Sequence, residues 1–337
     1  MKEYEIRPKG VFDEFLDISL REGERLFSDK SRFVEMSCPA CASSRSGQAF
    51  LKNNFNYETC KDCSSLFMNP RPTSSDLATY YRNSGAVEHW AKVFYKDTEG
   101  ARRAQIIKPR AKMVGGWAKQ LNVQGTFCDV GSGFGVLLEE IKALGIFEEI
   151  NGIEPASDLA QICRDRGFCI FEKNVEDLDV EEVQADVTTC FEVLEHVFQP
   201  SDFLQAVSRT LLPGGVLIFT TLTISGYDLG ELWSYSKSVC PPSHLNLMSV
   251  SGLAALVERC GLELVDLSTP GKLDVDILRN MLNENPEIPV SRFARQISAA
   301  CEAVQEKFQE FLRGNRLSSH VMVVARKTGS LIADSAL

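Results

Sequence analysis

The chain has 337 residues, of which 44% are hydrophobic and 24% charged, values typical of a folded globular protein and not of a disordered one. Acidic side chains outnumber basic ones by 46 to 36, giving a net charge of −10, and an acidic surface repels phosphate backbones and anionic lipids. Composition therefore argues against a general nucleic-acid-binding protein. It also argues against membrane insertion, because no apolar run approaches the roughly 20 residues that a spanning helix needs.

The first 35 residues predict a helical lead-in, because apolar side chains recur at helical spacing in a charged background. The opening Met1-Lys2-Glu3-Tyr4-Glu5 is too acidic and polar for a signal peptide. Eleven cysteines, an odd number without a secretory signal, indicate a reducing compartment. We therefore expect a cytoplasmic protein.

Residues 36–72 contain two C-x₂-C pairs, Cys38 with Cys41 and Cys60 with Cys63, separated by 18 residues. This spacing is typical of a zinc ribbon in which four thiolates close a tetrahedron. Such a site has no open coordination position, so the predicted metal is structural. The alternatives are two unrelated thiol pairs or a redox dithiol. The closing Asn-Pro-Arg-Pro run at 69–72 predicts a linker.

From residue 73 the pattern predicts one α/β domain that extends to 328, followed by a tail at 329–337. Helical spacing precedes short β-rich runs that alternate with helices, which favours βαβ units and a mainly parallel sheet. We expect a core at 105–268, a helical insertion at 270–317 and a last strand at 320–326.

A glycine-rich loop, Asp129-Val-Gly131-Ser132-Gly133-Phe-Gly135, follows the first strand of this domain and opens a helix. Glycines permit close approach of the backbone, and a helix N-terminus offers free N–H groups, so the loop suits a nucleotide-like ligand. A dinucleotide-binding fingerprint would require glycine at 136, where this chain has valine.

Further polar residues follow the next strands. Glu154-Pro155 ends the second strand, where a carboxylate can accept both hydroxyls of a ribose. Asn174-Val175 follows the third and could contact the edge of an adenine. Phe191 and Glu192 end the fourth.

In order and spacing these markers resemble the class I S-adenosylmethionine-dependent methyltransferases. The resemblance implies a Rossmann-like seven-stranded methyltransferase sheet and S-adenosylmethionine as cofactor. It implies these cofactor-binding residues: Asp129, Gly131, Ser132, Gly133, Glu154, Pro155, Asn174, Val175, Phe191 and Glu192.

The N-terminal cysteine unit resembles that of bacterial zinc-ribbon methyltransferases of surface-polysaccharide and sugar-nucleotide pathways, relatives of the deoxysugar C-methyltransferases. The chain lacks the longer N-terminal pattern and the catalytic tyrosine–histidine region of the latter, which favours O-methylation. The implied acceptor is a small, sugar-derived molecule. A zinc-ribbon ribosomal RNA methyltransferase and a non-catalytic cofactor-binding scaffold are the alternatives, and a homodimer is left open.

Two histidines are candidate catalytic bases, His196 after the fourth strand and His244 in a loop after the fifth. An imidazole suits removal of a hydroxyl proton near neutral pH. Glu192, Glu195 and His196 also resemble a Glu-x-x-Glu-His metal motif of ubiquinone-pathway O-methyltransferases. The carboxylates suit Mg²⁺, whereas the imidazole suits it poorly.

Overall fold

The structure, a computed structural model, describes residues 1–179 and 181–328. The predicted tail, 329–337, lies outside the described residues. Among those that are described, no helix is both long and apolar enough to cross a membrane.

The strands and helices alternate through most of the chain. The strands are β1 (Ser46–Lys52), β2 (Phe55–Cys60), β3 (Leu66–Met68), β4 (Thr126–Val130), β5 (Glu149–Ile153), β6 (Cys169–Phe171), β7 (Ala185–Phe191), β8 (Leu211–Leu222), β9 (Asn246–Leu247), β10 (Leu262–Ser268) and β11 (His320–Lys327). The helices are α1 (Glu3–Ile6), α2 (Lys9–Leu26), α3 (Ser74–Asn83), α4 (Gly85–His89), α5 (Tyr95–Arg102), α6 (Lys108–Gln120), α7 (Val136–Lys142), α8 (Ser157–Asp165), α9 (Pro200–Arg209), α10 (Tyr227–Leu232), α11 (Val250–Arg259), α12 (Asp274–Glu284), α13 (Arg292–Ser298) and α14 (Glu302–Gly314).

Within the described residues, seven strands form the central sheet in the order β10-β11-β8-β7-β4-β5-β6. Strands β4 to β8 pair in parallel, and β11 enters antiparallel between β8 and β10. Helices cover both faces, so β4 and β7 are buried almost throughout, as expected for a parallel sheet. The predicted Rossmann-like methyltransferase fold is confirmed.

The helices from residue 85 to 120 run almost without interruption, and they reach the carboxyl ends of the strands where Tyr95 stacks on Phe134 and Arg110 contacts Glu192. Two π-helical turns interrupt the α-helical path, at Trp90–Phe94 and Arg103–Ile107. Such turns are rare and frequently occur at functional sites. The N-terminal helices pack on this segment: the His89 Nε2 lies 3.1 Å from the Val11 carbonyl oxygen, and the Phe12 and Phe94 ring centroids are 5.9 Å apart.

The cysteine-rich unit is joined to the central domain by a shared sheet. Strand β9, from the loop region after β8, pairs with β3 and completes the sheet β1-β2-β3-β9. The side chain of Arg71 is fully buried and donates to the carbonyl oxygens of Met68 and Phe198 and to Asn246 Oδ1, at 2.9–3.0 Å. The segment at 69–72 connects the two units as predicted for a linker, and the hydrogen bonds of this guanidinium fix it in place.

Helices α12, α13 and α14 follow β10 and precede β11 in the sequence. Two buried carboxyl groups, those of Asp274 and Asp228, lie where these helices meet α10. Asp274 accepts hydrogen bonds from Ser319 N and Gln309 Nε2, both at 2.7 Å. Asp228 in α10 is fully buried, and neither of its oxygens has a hydrogen-bond partner among the described residues. Burial and the adjacent Asp274 raise the pKa of Asp228 well above 3.8.

The substitution Asp228→Asn should therefore stabilise the fold. A pKa raised in the folded state means that stability is complete below the ordinary pKa and falls as pH rises. The amide removes the ionisation and can donate to Asp274, so we expect a gain of roughly 1–3 kcal/mol at pH 8. Urea unfolding at pH 8, 6 and 4.5 measures the free energy of unfolding of the variant and of the wild-type protein. Asp266→Asn is the control. An equal loss of stability at all three pH values would contradict the assignment.

Candidate active site

The glycine loop turns between β4 and α7 against the end of β5. Gly131 has a φ of +78°, and a Cβ at this position would lie 3.0 Å from Val193 Cγ2. Its N–H donates to the Ile153 carbonyl at 2.8 Å. A side chain at 131 would meet both a steric and a conformational penalty, so the loop conformation requires glycine here.

Two buried carboxyl groups flank this loop. Thr189 Oγ1 donates to Asp129 Oδ1 at 2.6 Å, and burial raises the pKa of Asp129 to about 7. Glu154 accepts from Gly133 N at 2.8 Å and from Ala156 N at 3.0 Å, and burial raises its pKa as well. The two backbone donors fix the Glu154 carboxylate beside the loop, where its remaining lone pairs can accept hydroxyl groups.

The other predicted cofactor residues have mixed surroundings. Ser132 Oγ donates to the Asp129 carbonyl at 2.9 Å. Val175 is buried, whereas Pro155 and Asn174 are exposed, and the Asn174 amide donates to Asp177 at 2.8 Å. The roles of these residues in cofactor binding stay predictions.

The two candidate histidines, distant in sequence, form one cluster. Their ring centroids are 4.8 Å apart. His196 Nδ1 lies 3.0 Å from the Ser243 carbonyl oxygen, and His244 Nδ1 lies 2.5 Å from that of Ser238. A carbonyl oxygen can only accept, so each Nδ1 carries the proton and each Nε2 keeps a free lone pair. Both rings are therefore arranged to accept a proton through Nε2.

Their surroundings keep both imidazoles neutral. Burial lowers the pKa of His196 below 6.5. Burial, with His196 and the positive charge of Arg7 nearby, lowers the pKa of His244 to about 3. Tyr81 OH donates to the Ser243 carbonyl at 3.2 Å and so supports the oxygen that orients His196.

The predicted metal motif does not assemble as proposed. Glu195, His196 and His244 bring their ligand atoms within 4.8 Å of one another, but Glu192 is not part of this group. Glu192 instead contacts Arg110 at 2.7 Å and His320 at 3.2 Å. Two imidazoles and one carboxylate fit Mg²⁺ poorly, because this ion prefers oxygen ligands. We therefore assign no step to Mg²⁺.

The two glutamates of the motif, Glu192 and Glu195, have pKa values that shift in opposite directions. Burial, with Glu192 nearby, raises the pKa of Glu195 to about 8, and Thr221 Oγ1 donates to this carboxyl at 2.7 Å. Burial alone would raise the pKa of Glu192 too, but His320 and Arg110 outweigh it and hold the pKa well below 4.5. Glu192 is thus the anionic member, and Glu195 the protonated one at neutral pH.

Sequence reasoning missed Arg110 and His320, which both lie in this region. Arg110 lies over the Phe191 ring, with its Cζ 5.2 Å from the centroid, and His320 starts the last strand. Tyr95 stacks on Phe134 of the glycine loop at 4.4 Å. The only signal in the sequence is the density of aromatic and basic residues between 90 and 110, which helical packing also produces.

The four cysteines of the ribbon converge. Cys38 and Cys63 have Sγ atoms 3.6 Å apart, and Cys41 and Cys60 have theirs 3.5 Å apart; all four lie within 4.8 Å of one another. A tetrahedron with Zn–S bonds of about 2.3 Å has edges of about 3.8 Å. The arrangement fits a four-thiolate zinc site.

The family model described as "Methyltransferase domain" matches residues 99–267, half of the chain. The chain belongs to this family. The match covers the glycine loop, Glu154, both His196 and His244, and the sheet as far as β10. The methyltransferase domain therefore includes the elements that position the candidate site.

Among curated proteins, this methyltransferase-domain protein is similar to "Ubiquinone biosynthesis O-methyltransferase" from Xanthomonas axonopodis pv. citri, with 31% identity over 153 residues, 42% of this chain and 63% of that protein. The protein of the same name from Colwellia psychrerythraea is 31% identical over 156 residues, 42% of this chain and 61% of its own. The chain thus spans less than two thirds of the length of these relatives.

Solved structures of methyltransferases are also similar to this chain. A SAM-dependent methyltransferase from Archaeoglobus fulgidus is 14% identical with a TM-score of 0.46, and the match covers 69% of this chain and 100% of that one. An amino pentose methyltransferase from Micromonospora echinaspora is 23% identical with a TM-score of 0.33, over 37% and 54% of the two chains.

Proposed function

We propose that this protein is a methyltransferase that uses S-adenosylmethionine to methylate a hydroxyl of a small, sugar-derived acceptor. The observation that carries the proposal is the joint arrangement of two features at one end of the sheet. The Glu154 carboxylate is held to the glycine loop by Gly133 N at 2.8 Å, and the histidine pair offers two unprotonated Nε2 atoms. Cofactor binding and proton acceptance are the two tasks that O-methyl transfer requires.

The residues around the glycine loop fit the cofactor. Glu154 would accept the ribose hydroxyls, and the backbone of Gly131 and Gly133 permits close approach to the ligand. Asn174 and Val175 would contact the adenine. When bound, S-adenosylmethionine supplies a methyl group already activated by its sulfonium, so the protein's main tasks are alignment and exclusion of water.

His196 is the residue we assign to proton transfer, with His244 beside it. Its Nδ1–H is held by the Ser243 carbonyl at 3.0 Å, which directs Nε2 away from the backbone as the proton acceptor. A hydroxyl has a high pKa, so a positioned base contributes about 10²–10⁴-fold. The names of the curated relatives support oxygen as the methylated atom.

The pH profile tests the histidine assignment. Because burial lowers the pKa of His196 below 6.5, the neutral base persists down to that lowered value. The initial rate at saturating cofactor should be flat around pH 7 and fall only below pH 6.5, and His196→Asn should reduce it by about 10²-fold or more. A profile that falls from pH 8 downwards, or an active His196→Asn enzyme, would reject His196 as the base.

We also propose a structural Zn²⁺ at the four cysteines. Their Sγ separations support it, and thiolates are the ligands that zinc prefers. The division at residues 35, 72 and 328, a cytoplasmic location and a homodimer stay predictions.

The first experiment is calorimetric titration of S-adenosylhomocysteine into the purified protein, with zinc quantified in the same sample. Binding with one zinc per chain supports the proposal. Sugar nucleotides and hydroxylated aromatic compounds are then screened as acceptors. Binding without turnover on any acceptor supports the scaffold alternative, and an acceptor affinity that falls steeply with salt supports the ribosomal RNA alternative.

A further inference from the structure

Two arginines near the candidate site have no hydrogen-bond acceptor and no ion-pair partner for their guanidinium groups among the described residues. Arg102 ends α5, and Arg7 follows α1. Across residues 1–179 and 181–328, no group accepts a hydrogen bond from either side chain, and the Nε of Arg102 is shielded from solvent. A buried donor without an acceptor is costly, so its persistence indicates a missing partner.

Aromatic rings hold the guanidinium of Arg102 in place. Its Cζ lies 5.8 Å from the ring centroids of Trp90 and Phe94 and 5.9 Å from that of Tyr95. Ring faces interact with the positive charge, but they do not replace an oxygen acceptor for the in-plane N–H groups. These three rings form an aromatic cage, which orients the guanidinium and leaves its N–H groups without acceptors.

The cage belongs to the segment that covers the candidate site. Tyr95 stacks on Phe134 of the glycine loop at 4.4 Å, and both π-helical turns adjoin the cage. Arg7 approaches from the N-terminal helices: its Cζ lies 5.4 Å above the Phe12 ring, which contacts Phe94. Arg7 is also near enough to His244 to affect its protonation.

The local charge is unbalanced. Arg110 and His320 both contact one carboxylate, that of Glu192, at 2.7 and 3.2 Å. Neither Arg102 nor Arg7 forms an ion pair with an acid among the described residues, in a chain whose net charge is −10. Partly desolvated guanidinium groups of this kind are the standard receptors for carboxylate and phosphate.

We propose that Arg102 and Arg7 form an anion subsite that binds a phosphate or carboxylate group of the methyl acceptor. The acceptor is then an anionic sugar derivative, such as a sugar phosphate, rather than a neutral sugar. This inference rests on the proposed function. The carboxylate of the cofactor's methionine moiety is a second source of the same chemistry, which the test must separate.

The test uses the full chain with three probes: inorganic phosphate, S-adenosylhomocysteine and 5′-methylthioadenosine, which lacks the carboxylate. Phosphate is titrated into protein saturated with 5′-methylthioadenosine, which leaves the anion subsite free, and followed by tryptophan fluorescence, because Trp90 adjoins Arg102. We expect Arg102→Met and Arg7→Gln each to weaken phosphate binding about tenfold or more. Arg103→Gln is the matched control, because its neighbouring guanidinium pairs with Glu139 and Glu140 instead.

The outcomes separate the hypotheses. Lost phosphate binding with unchanged affinity for both nucleosides supports the acceptor subsite. A variant that loses S-adenosylhomocysteine affinity but keeps 5′-methylthioadenosine affinity assigns the arginine to the cofactor and overturns the proposal. Unchanged phosphate binding in both variants also overturns it. If the wild-type protein binds neither nucleoside, the proposed function fails instead. Phosphate binding by the wild-type protein and the two arginine variants can still be compared without nucleoside, so the anion subsite is tested separately.

Discussion

The substitution Gly131→Val should abolish binding of S-adenosylhomocysteine while leaving the arrangement of the ribbon cysteines, and the zinc proposed there, unchanged. Gly131 has a φ of +78°, which a β-branched side chain cannot adopt without severe strain, and its Cβ would meet Val193 Cγ2 at 3.0 Å. The turn would open and move Gly133 away from Glu154. We expect at least about 100-fold weaker binding, since the proposed ribose and backbone contacts are lost together.

Calorimetry measures the affinity, and zinc content and far-UV circular dichroism report on the fold. Gly116→Ala is the control, because Gly116 lies inside α6 and a Cβ there meets nothing within 4 Å. Unchanged affinity in Gly131→Val would mean that the loop does not contact the ligand, and the cofactor-binding assignments would have to be withdrawn as a group.

The large-scale fold was accessible from the sequence because its signals are local. A strand, a glycine turn and a helix follow one another within 20 residues around Gly131, and the strand-helix alternation continues to β8. Period and turn chemistry encode such units directly. The cysteine spacing likewise predicted which four residues would converge, and the Sγ distances agree with the prediction.

The contacts that shape the site depend on residues far apart in the chain. Arg71 contacts Phe198 and Asn246, and His196 meets His244 across 48 residues. Nothing near residue 71 distinguishes a buried arginine from an exposed one. The same holds for Arg102, whose surroundings depend on how the 85–120 helices bend at their π-turns. Such features follow from tertiary packing, which local patterns do not encode.

The ribbon supports the loop that carries His244. Tyr57 OH in β2 donates to the His244 carbonyl at 2.7 Å, and β3 pairs with β9 directly after that histidine. Ser249 and Ser251 also donate to the Cys63 carbonyl. A metal bound at the four cysteines would therefore stabilise the wall of the candidate active site as well as the ribbon itself.

Cys60→Ser should consequently lower stability first and activity second. Loss of one thiolate removes much of the metal's contribution to folding, and structural zinc sites in small units contribute about 10 kcal/mol or more of apparent binding free energy. We expect loss of zinc, a lower unfolding midpoint and reduced turnover. S-adenosylhomocysteine affinity should be largely retained at low temperature, because the glycine loop lies in the central domain.

Zinc analysis, urea unfolding and turnover at 10 and 30 °C measure the three effects. Cys169→Ser is the matched control, since Cys169 is exposed and lies outside the ribbon. If the indirect role is correct, activity and folded fraction should decrease together as temperature rises. A Cys60→Ser protein that is fully folded at both temperatures and yet inactive would contradict this, because the metal would then have to act in the chemistry itself.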